Sequence, residues 1–539
     1  MKSLFLALLM LFASMVVEAQ EFAFAPNSGS SKSAEKTGGY KKIVAQKVFD
    51  DLVAGIGDIR MQKPSLVINR RDGTMASFSA DLIQVTLDEK AYNICVTFGK
   101  DSLNAIASLL AHELIHYYQK HDFSRHFAKE NAGLETAKQL EFLKEGFKQE
   151  TEADCLGGFL AFSVGYNTYG IMPELLKKGY QAYELPENLP GYPSLTERIK
   201  MVDGAMAQLR ELQMVFETAN LLTLLGNYAE ASVYHRFILQ TYQSREIYNN
   251  AGVNATLAAL ALMQPADMPY VLPLELDPKS RLYSIKDNDQ EKEARKNALL
   301  KSALEHFERA LGLDENYSTA YLNKACVLAL NGEWEDAEYV IRKGKKKCAD
   351  PLLASDFTVL QGIIAALQKD SINAVKIWEQ AKAQGNGWAK TNLEIIQHTR
   401  QTTNAVPISA KGLEEIEQFP IADFFITSDA NPPDHQVKVA DKVFCGIRKF
   451  PNSRLFIHYV SREKYVLVQE TQASYTGRTL SGIGLGDTQD KVKAAYGKVP
   501  RTIALPSGSV WVYPESKIFF RFSQQSKVVS WGVYRKSPV

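Results

Sequence analysis

His112-Glu113-Leu114-Ile115-His116 places three chemically useful side chains within about one helical turn. On a helix, His112 and His116 are four apart and share a face. Two imidazoles so placed can grip one Zn²⁺, while Glu113 between them points at a metal-bound water rather than at the metal. The flanking residues support the helix. Asp101 or Ser102 can cap its start, and Ile106, Leu110, Leu114 and Tyr117 form a packing face turned away from the two histidines. His121 and His126 follow closely, but their spacing completes no tetrahedral set with the first pair, so both are expected at solvated positions.

A catalytic zinc held by two His needs a third protein ligand, often a carboxylate, and keeps one position open for water. Downstream, Glu150-Thr151-Glu152-Ala153-Asp154 opens another helix, and Glu150 and Asp154 lie four apart on a face that continues through Gly157 and Ala161. These small residues let the helix approach a neighbour closely. Glu150 can complete the ligand set, and Asp154 can accept the free N–H of a ligating imidazole and fix its tautomer. Glu152 is a competing ligand, and a solvated acidic face is the plainer alternative. Upstream, residues 65–69 read as a short strand, and Ile83, Val85 and Leu87 alternate as a second. A further strand is expected over residues 92–98, with Tyr92, Ile94, Val96 and Phe98 on one face. It is either an edge on which an extended peptide could be laid or part of an ordinary internal hairpin.

His112 to His116, then Glu150-x-x-Ala153-Asp154, then Tyr192-Pro193-Ser194-Leu195-Thr196-Glu197-Arg198-Ile199 together resemble the gluzincin metallopeptidase family that includes the CAAX prenyl proteases, HtpX and BepA. The resemblance covers roughly residues 40–205. It implies an α+β zincin-type domain in which the Glu of E-x-x-A-D is the third zinc ligand and its Asp supports a histidine. This chain departs from the family at Tyr192, where many members have His, and in lacking the Asn-Ala...Pro-Gly-Gly strand signature around residues 91–99. Tyr192 could donate to a tetrahedral oxyanion, and Arg198 could add positive charge there or bind a carboxylate; alternatively, both are structural.

Across 539 residues, 45% are hydrophobic and 23% charged, enough for several buried cores. A net charge of +1 offers no electrostatic argument for nucleic acid or an anionic membrane surface. Residues 1–19 read as a signal peptide: Lys2, an apolar run from Leu4 to Val17, and small residues at Val17 and Ala19. This implies an exported chain, periplasmic or extracellular, with no transmembrane segment after cleavage. Residues 20–39 read as a flexible leader, and the Tyr40 to Ile59 stretch as a helix with an apolar stripe. The five cysteines are odd in number and lack C-x-x-C spacing. They read as small buried hydrophobes, with a Cys95 to Cys155 bridge as the alternative.

From about residue 206 to 398 the pattern turns to helical hairpins. Gly226-Asn227-Tyr228 with Ala231 and Gly332-Glu333-Trp334 with Ala337 occupy matching places. Ala303 and Ala337 are 34 residues apart, Phe307 and Ile341 repeat that offset, and Ala374 with Trp378 continues it loosely. This resembles an all-α tetratricopeptide-like solenoid, which commonly binds peptides or partner proteins in its groove. Residues 399–436, with Pro407, Pro420, Pro432 and Pro433, read as a linker. Residues 437–539 read as a small β-rich α+β domain, with strands near 437–447, 455–459, 465–469, 517–522 and 528–534 and a helix over 489–496.

The sequence therefore points to an exported endopeptidase holding one Zn²⁺ per chain through His112, His116 and Glu150, with Glu113 as general base and Asp154, Tyr192 and Arg198 in supporting catalytic roles. Its substrate would be a polypeptide, and a protein partner would bind at the repeats. An envelope scaffold or chaperone acting through the helical groove, with a vestigial metal site, is the alternative from another class. A zinc hydrolase of another envelope amide is the third.

Overall fold

The computed structural model describes residues 31–69, 74–121, 145–168, 170–187, 194–264, 266–274, 289–398, 414–419, 421, 433–461, 464–497, 499, 501–505 and 508–537. The chain is multidomain, helical through its first and central parts and β-rich at its C-terminal end. It divides into two compact units, residues 1–54 with 63–206 and residues 55–62 with 207–539. Among the described residues no helix is long and apolar enough to cross a membrane. Residues 1–30, the stretch read as a signal peptide and the first part of the leader, lie outside the described residues, while residues 31–39, read as flexible leader, are the first turns of the helix that runs to Ile56.

The first unit joins α1 (Ser31–Ile56), a three-stranded sheet, α2 (Glu89–Val96), α3 (Ser102–Tyr118), α4 (Glu145–Ser163) and α5 (Ile171–Ala182). The sheet has the order β1 (Ser65–Asn69), β3 (Gln84–Asp88), β2 (Ala76–Ser79), with β1 parallel and β2 antiparallel to β3. One expectation fails here. The stretch read as a strand over residues 92–98 is largely α2, because Ala91, Tyr92, Ile94 and Cys95 are the buried positions and their spacing follows a helix rather than period two. Asp88 starts it, with its carboxylate accepting the Lys90 backbone N–H at 2.9 Å. Both outer strands, β1 and β2, are edges among the described residues, and β2 is the one that lies against α3. The Asp88 N–H donates to the Met75 carbonyl. Given that bond, the alternation of an antiparallel ladder turns the backbone groups of Ala76 and Phe78 away from β3, toward the open edge.

In the second unit, α7 (Tyr228–Leu239), α8 (Arg245–Leu262), α9 (Asp289–Leu313), α10 (Ser318–Leu330), α11 (Trp334–Lys347), α12 (Pro351–Leu367), α13 (Ser371–Ala383) and α14 (Gly387–Ile396) follow the long α6 (Leu195–Leu224). Gly226 and Gly332, in the two matching turns, share φ +78°, a left-handed conformation that glycine takes without a Cβ penalty. Ala303, Ala337 and Ala374 are fully buried, as are Phe307, Ile341 and Trp378. Large rings seat on glycines: a Cβ at Gly252 would collide with Phe307 and one at Gly362 with Trp378.

The C-terminal part is one antiparallel eight-stranded sheet in the order β4-β5-β6-β7-β11-β10-β9-β8, covering His435–Ala440, Val443–Lys449, Ser453–Tyr459, Tyr465–Thr471, Val528–Lys536, Ile518–Ser523, Gly508–Tyr513 and Arg501–Leu505 in that spatial order. A short helix, α15 (Gln489–Tyr496), packs Val492 and Tyr496 into its core. Part of the stretch read as a linker belongs to this core: Ile416 and Ile421 are buried in it, and Tyr496 donates its hydroxyl to Glu414 at 2.6 Å. The sheet is tied to α6 and α7 by Arg454 to Glu217 (3.0 Å), by Arg501 to the Tyr228 hydroxyl (2.9 Å) and by Tyr234 against His458 Nδ1 (2.8 Å).

Candidate metal centre

Helix α3 is buried on nearly all sides, from Ala105 through His112 and on to Leu114 and Ile115, so it runs through the core rather than over the surface. Asp101 stands at its N-cap position but bonds the Asn104 side chain (3.0 Å) rather than a backbone N–H. Helix α4 crosses α3 at Gly157, where a Cβ would stand 3.0 Å from the His112 nitrogen and 3.1 Å from the Ala111 carbonyl carbon. That close approach brings Glu150 and Asp154 up to the histidines.

His112 Nε2 and His116 Nε2 lie 3.0 Å apart, and each is 3.4 Å from a Glu150 carboxylate oxygen. Donors about 2.1 Å from a tetrahedral ion stand about 3.4 Å from one another. The His112 distance is to Glu150 Oε2 and the His116 distance to Oε1, so the two nitrogens and the Glu150 carboxylate surround a space of the size a zinc ion takes, and among the described residues this trio forms the one group of three such side chains that could hold a metal. His112 Nδ1–H donates to Asp154 Oδ1 at 2.8 Å, which fixes the tautomer that leaves Nε2 free to ligate.

Arg198, at the start of α6, is buried against both carboxylates: Nη1 lies 2.8 Å from Glu150 Oε2, and Nη2 donates to Asp154 Oδ1 at 3.1 Å. Burial opposes ionisation of Glu150, but the hydrogen bond and charge of His112, with Arg198 and His116, outweigh it and hold the carboxyl well below the usual range. Burial likewise opposes the cationic form of His112, yet Asp154 and Glu150 hold its pKa up at about 10. Glu113 differs. Burial raises it to about 7, helped by the Glu150 charge, while the charge of His112 and, to a lesser degree, Arg198 and the Phe78 backbone N–H pull the other way. The N–H that reaches Glu113 comes from the open edge of β2, and the Phe78 ring packs on Tyr117 of α3 with centroids 4.8 Å apart.

Of the residues singled out from sequence, His112, His116 and Glu150 converge, Asp154 supports His112, and Arg198 binds the two carboxylates. Tyr192 and His126 lie outside the described residues. Glu152 is not in the trio; its carboxylate is 3.6 Å from His121 Nε2. His121 was expected in solvent and is instead buried, with its Nδ1 2.8 Å from His116 Nδ1. The reason is local: Lys120 takes a left-handed φ of +56° after the last turn of α3, folding the next residue back on the helix. Cys95 and Cys155 are free buried thiols and form no bridge.

No family model matches this chain, and no curated protein matches it. Among solved structures, a monomeric mutant of IFIT1 with Gppp-AAAA is similar at 14% identity, covering 56% of this chain and 65% of that chain with a TM-score of 0.28, a likeness too slight to carry an argument.

Proposed function

We propose that the chain is an exported zinc-dependent endopeptidase of the gluzincin type, with a tetratricopeptide-like helical region that binds a protein partner. The observation that carries the reading is the convergence of His112, His116 and Glu150 with the half-buried Glu113 between the two histidines on the same helix. A closed structural site has no use for such a base. The signal-like residues 1–19 support export, and the repeating hairpins with buried Ala303, Ala337 and Ala374 support the solenoid reading.

His112, His116 and Glu150 would hold the metal, which when bound supplies Lewis-acid polarisation of water and of the scissile carbonyl. Asp154 keeps His112 in its ligating tautomer, and Arg198 balances the two carboxylates. Glu113 accepts the proton of the attacking water and passes it to the leaving amine, a transfer suited to a group titrating near the working pH. The outward-facing backbone groups at Ala76 and the Phe78 carbonyl can pair with an extended substrate as an added strand, which favours unfolded polypeptide over other amides.

The test is cleavage of an unfolded protein such as reduced casein by the purified chain, before and after chelation and again after zinc is restored. Loss and recovery of cleavage support the endopeptidase. A chain that binds partners but cleaves nothing in any of the three states supports the scaffold reading instead.

A further inference from the structure

The two ligating histidines are supported differently. His112 leans on a carboxylate directly, whereas His116 leans on a second imidazole. His121 is 5% exposed, and Gln149 Nε2 reaches its backbone carbonyl at 3.4 Å. Its ring stands edge-on to that of His116, with centroids 4.9 Å apart at 77°. The two Nδ1 atoms are 2.8 Å apart, and His121 Nε2 faces Glu152 Oε2 at 3.6 Å.

We infer that His121 is a positioning residue of the metal centre, accepting the Nδ1–H of His116, with the Glu152 carboxylate facing its far nitrogen, so that the His116 Nε2 lone pair stays aimed at the ion. The inference rests on the zinc reading above. The proton positions follow from it in sequence. If Nε2 of His116 ligates, the ring is neutral and its proton is on Nδ1. That N–H donates to His121 Nδ1, which must be unprotonated, so the His121 proton is on Nε2 and points toward Glu152. The result is one hydrogen bond from metal ligand to imidazole, with the Glu152 carboxylate 3.6 Å beyond as a charge rather than a hydrogen-bond partner, beside the direct link from His112 to Asp154. Interposing an imidazole keeps the fourth carboxylate, Glu152, one ring away from a centre that already holds Glu113, Glu150 and Asp154.

Zinc affinity of the full chain, measured by competition with a chromophoric chelator, tests this without reference to turnover. His121→Phe keeps a ring in the buried slot but removes the acceptor, and should weaken zinc binding by roughly ten- to a hundredfold. His121→Asn places an amide oxygen where Nδ1 stood and should recover most of the loss, while Glu152→Ala should fall between. Far-ultraviolet circular dichroism and the zinc-free melt serve as folding controls. An affinity in His121→Phe equal to that of a tightly binding parent overturns the inference and leaves the metal site standing. Equal weakness in the Phe and Asn variants also overturns it, because ring volume rather than the acceptor would then be at work. Should the Phe variant not fold, parental affinity in both His121→Asn and Glu152→Ala, with no partial loss in the latter, overturns it as well. A parent that binds no zinc defeats the zinc reading itself, and this inference with it.

Discussion

Replacing Arg198 by Met removes the guanidinium that touches both Glu150 and Asp154, while keeping much of the side-chain volume. The side chains involved are nearly out of solvent, at 10% exposure for Arg198, 18% for Glu150 and 0% for Asp154. Breaking a buried pair by deleting one partner costs about 3–5 kcal/mol, because an uncompensated charge stays behind. Here the cost falls at the lower end, about 3 kcal/mol, since His112 still contacts both carboxylates and carries its proton near neutral pH when no metal is bound. For a unit of this size 1 kcal/mol corresponds to about 2–4 °C, so the metal-free variant should melt about 6–12 °C below the parent. Zinc brings positive charge to the same carboxylates, so saturating zinc should narrow the gap. The assay is scanning calorimetry of the full chain with and without zinc, following the transition that responds to the metal. Arg198→Lys, which keeps the charge but loses the two-pronged geometry, should lie between. A metal-free Arg198→Met protein melting with the parent would refute the reasoning, as would a gap that widens in zinc.

Two further perturbations follow from the packing. Gly157→Ala gains about 1 kcal/mol of helix propensity but presses a Cβ onto the backbone of Ala111 and His112, an overpacking cost of about 1–3 kcal/mol. A net loss of up to about 2 kcal/mol and weaker zinc binding, as α4 carries Glu150 outward, are expected in melts and chelator competition; unchanged affinity would contradict this. In the second unit, burial with the nearby His306 pushes His235 down to about 4. The unfolded chain therefore binds this proton first as the pH falls. Stability contributed above about pH 6.5 is lost progressively toward pH 4, by about 3 kcal/mol at most. His235→Phe should flatten that part of the stability profile in denaturant titrations at pH 7 and pH 5, and an unchanged profile would assign the pH dependence elsewhere.

The parts of the site legible in sequence are those set by spacing within one helix. His112 and His116 on α3, and Glu150 and Asp154 on α4, each depend on a four-residue interval that helical geometry converts into a shared face. Gly157 was legible for a similar reason, since a small residue on that face permits close packing. What was not legible depends on how the chain returns on itself. His121 reaches His116 through a left-handed Lys120, a position glycine would have signalled and lysine does not. Strand β2 is short, with a single large apolar residue, Phe78, and gives almost no periodic signal. Residues 92–98 alternate apolar and polar side chains and mimic a strand. Ala91 and Cys95, small enough to be discounted in that pattern, complete the helical stripe of α2. In the sheet domain β8 and β9 were missed where the alternation is weak, and the buried Ile416 and Ile421 were hidden by the prolines around them.

The proposed chemistry makes Glu113 the base beside a metal held by His112, His116 and Glu150. Zinc content and casein cleavage measured on the same Glu113→Gln sample test it most directly. About one zinc ion per chain is expected, as in the parent, with cleavage reduced by roughly a hundredfold or more. A Glu113→Gln protein that holds its zinc and cleaves at the parental rate would contradict it.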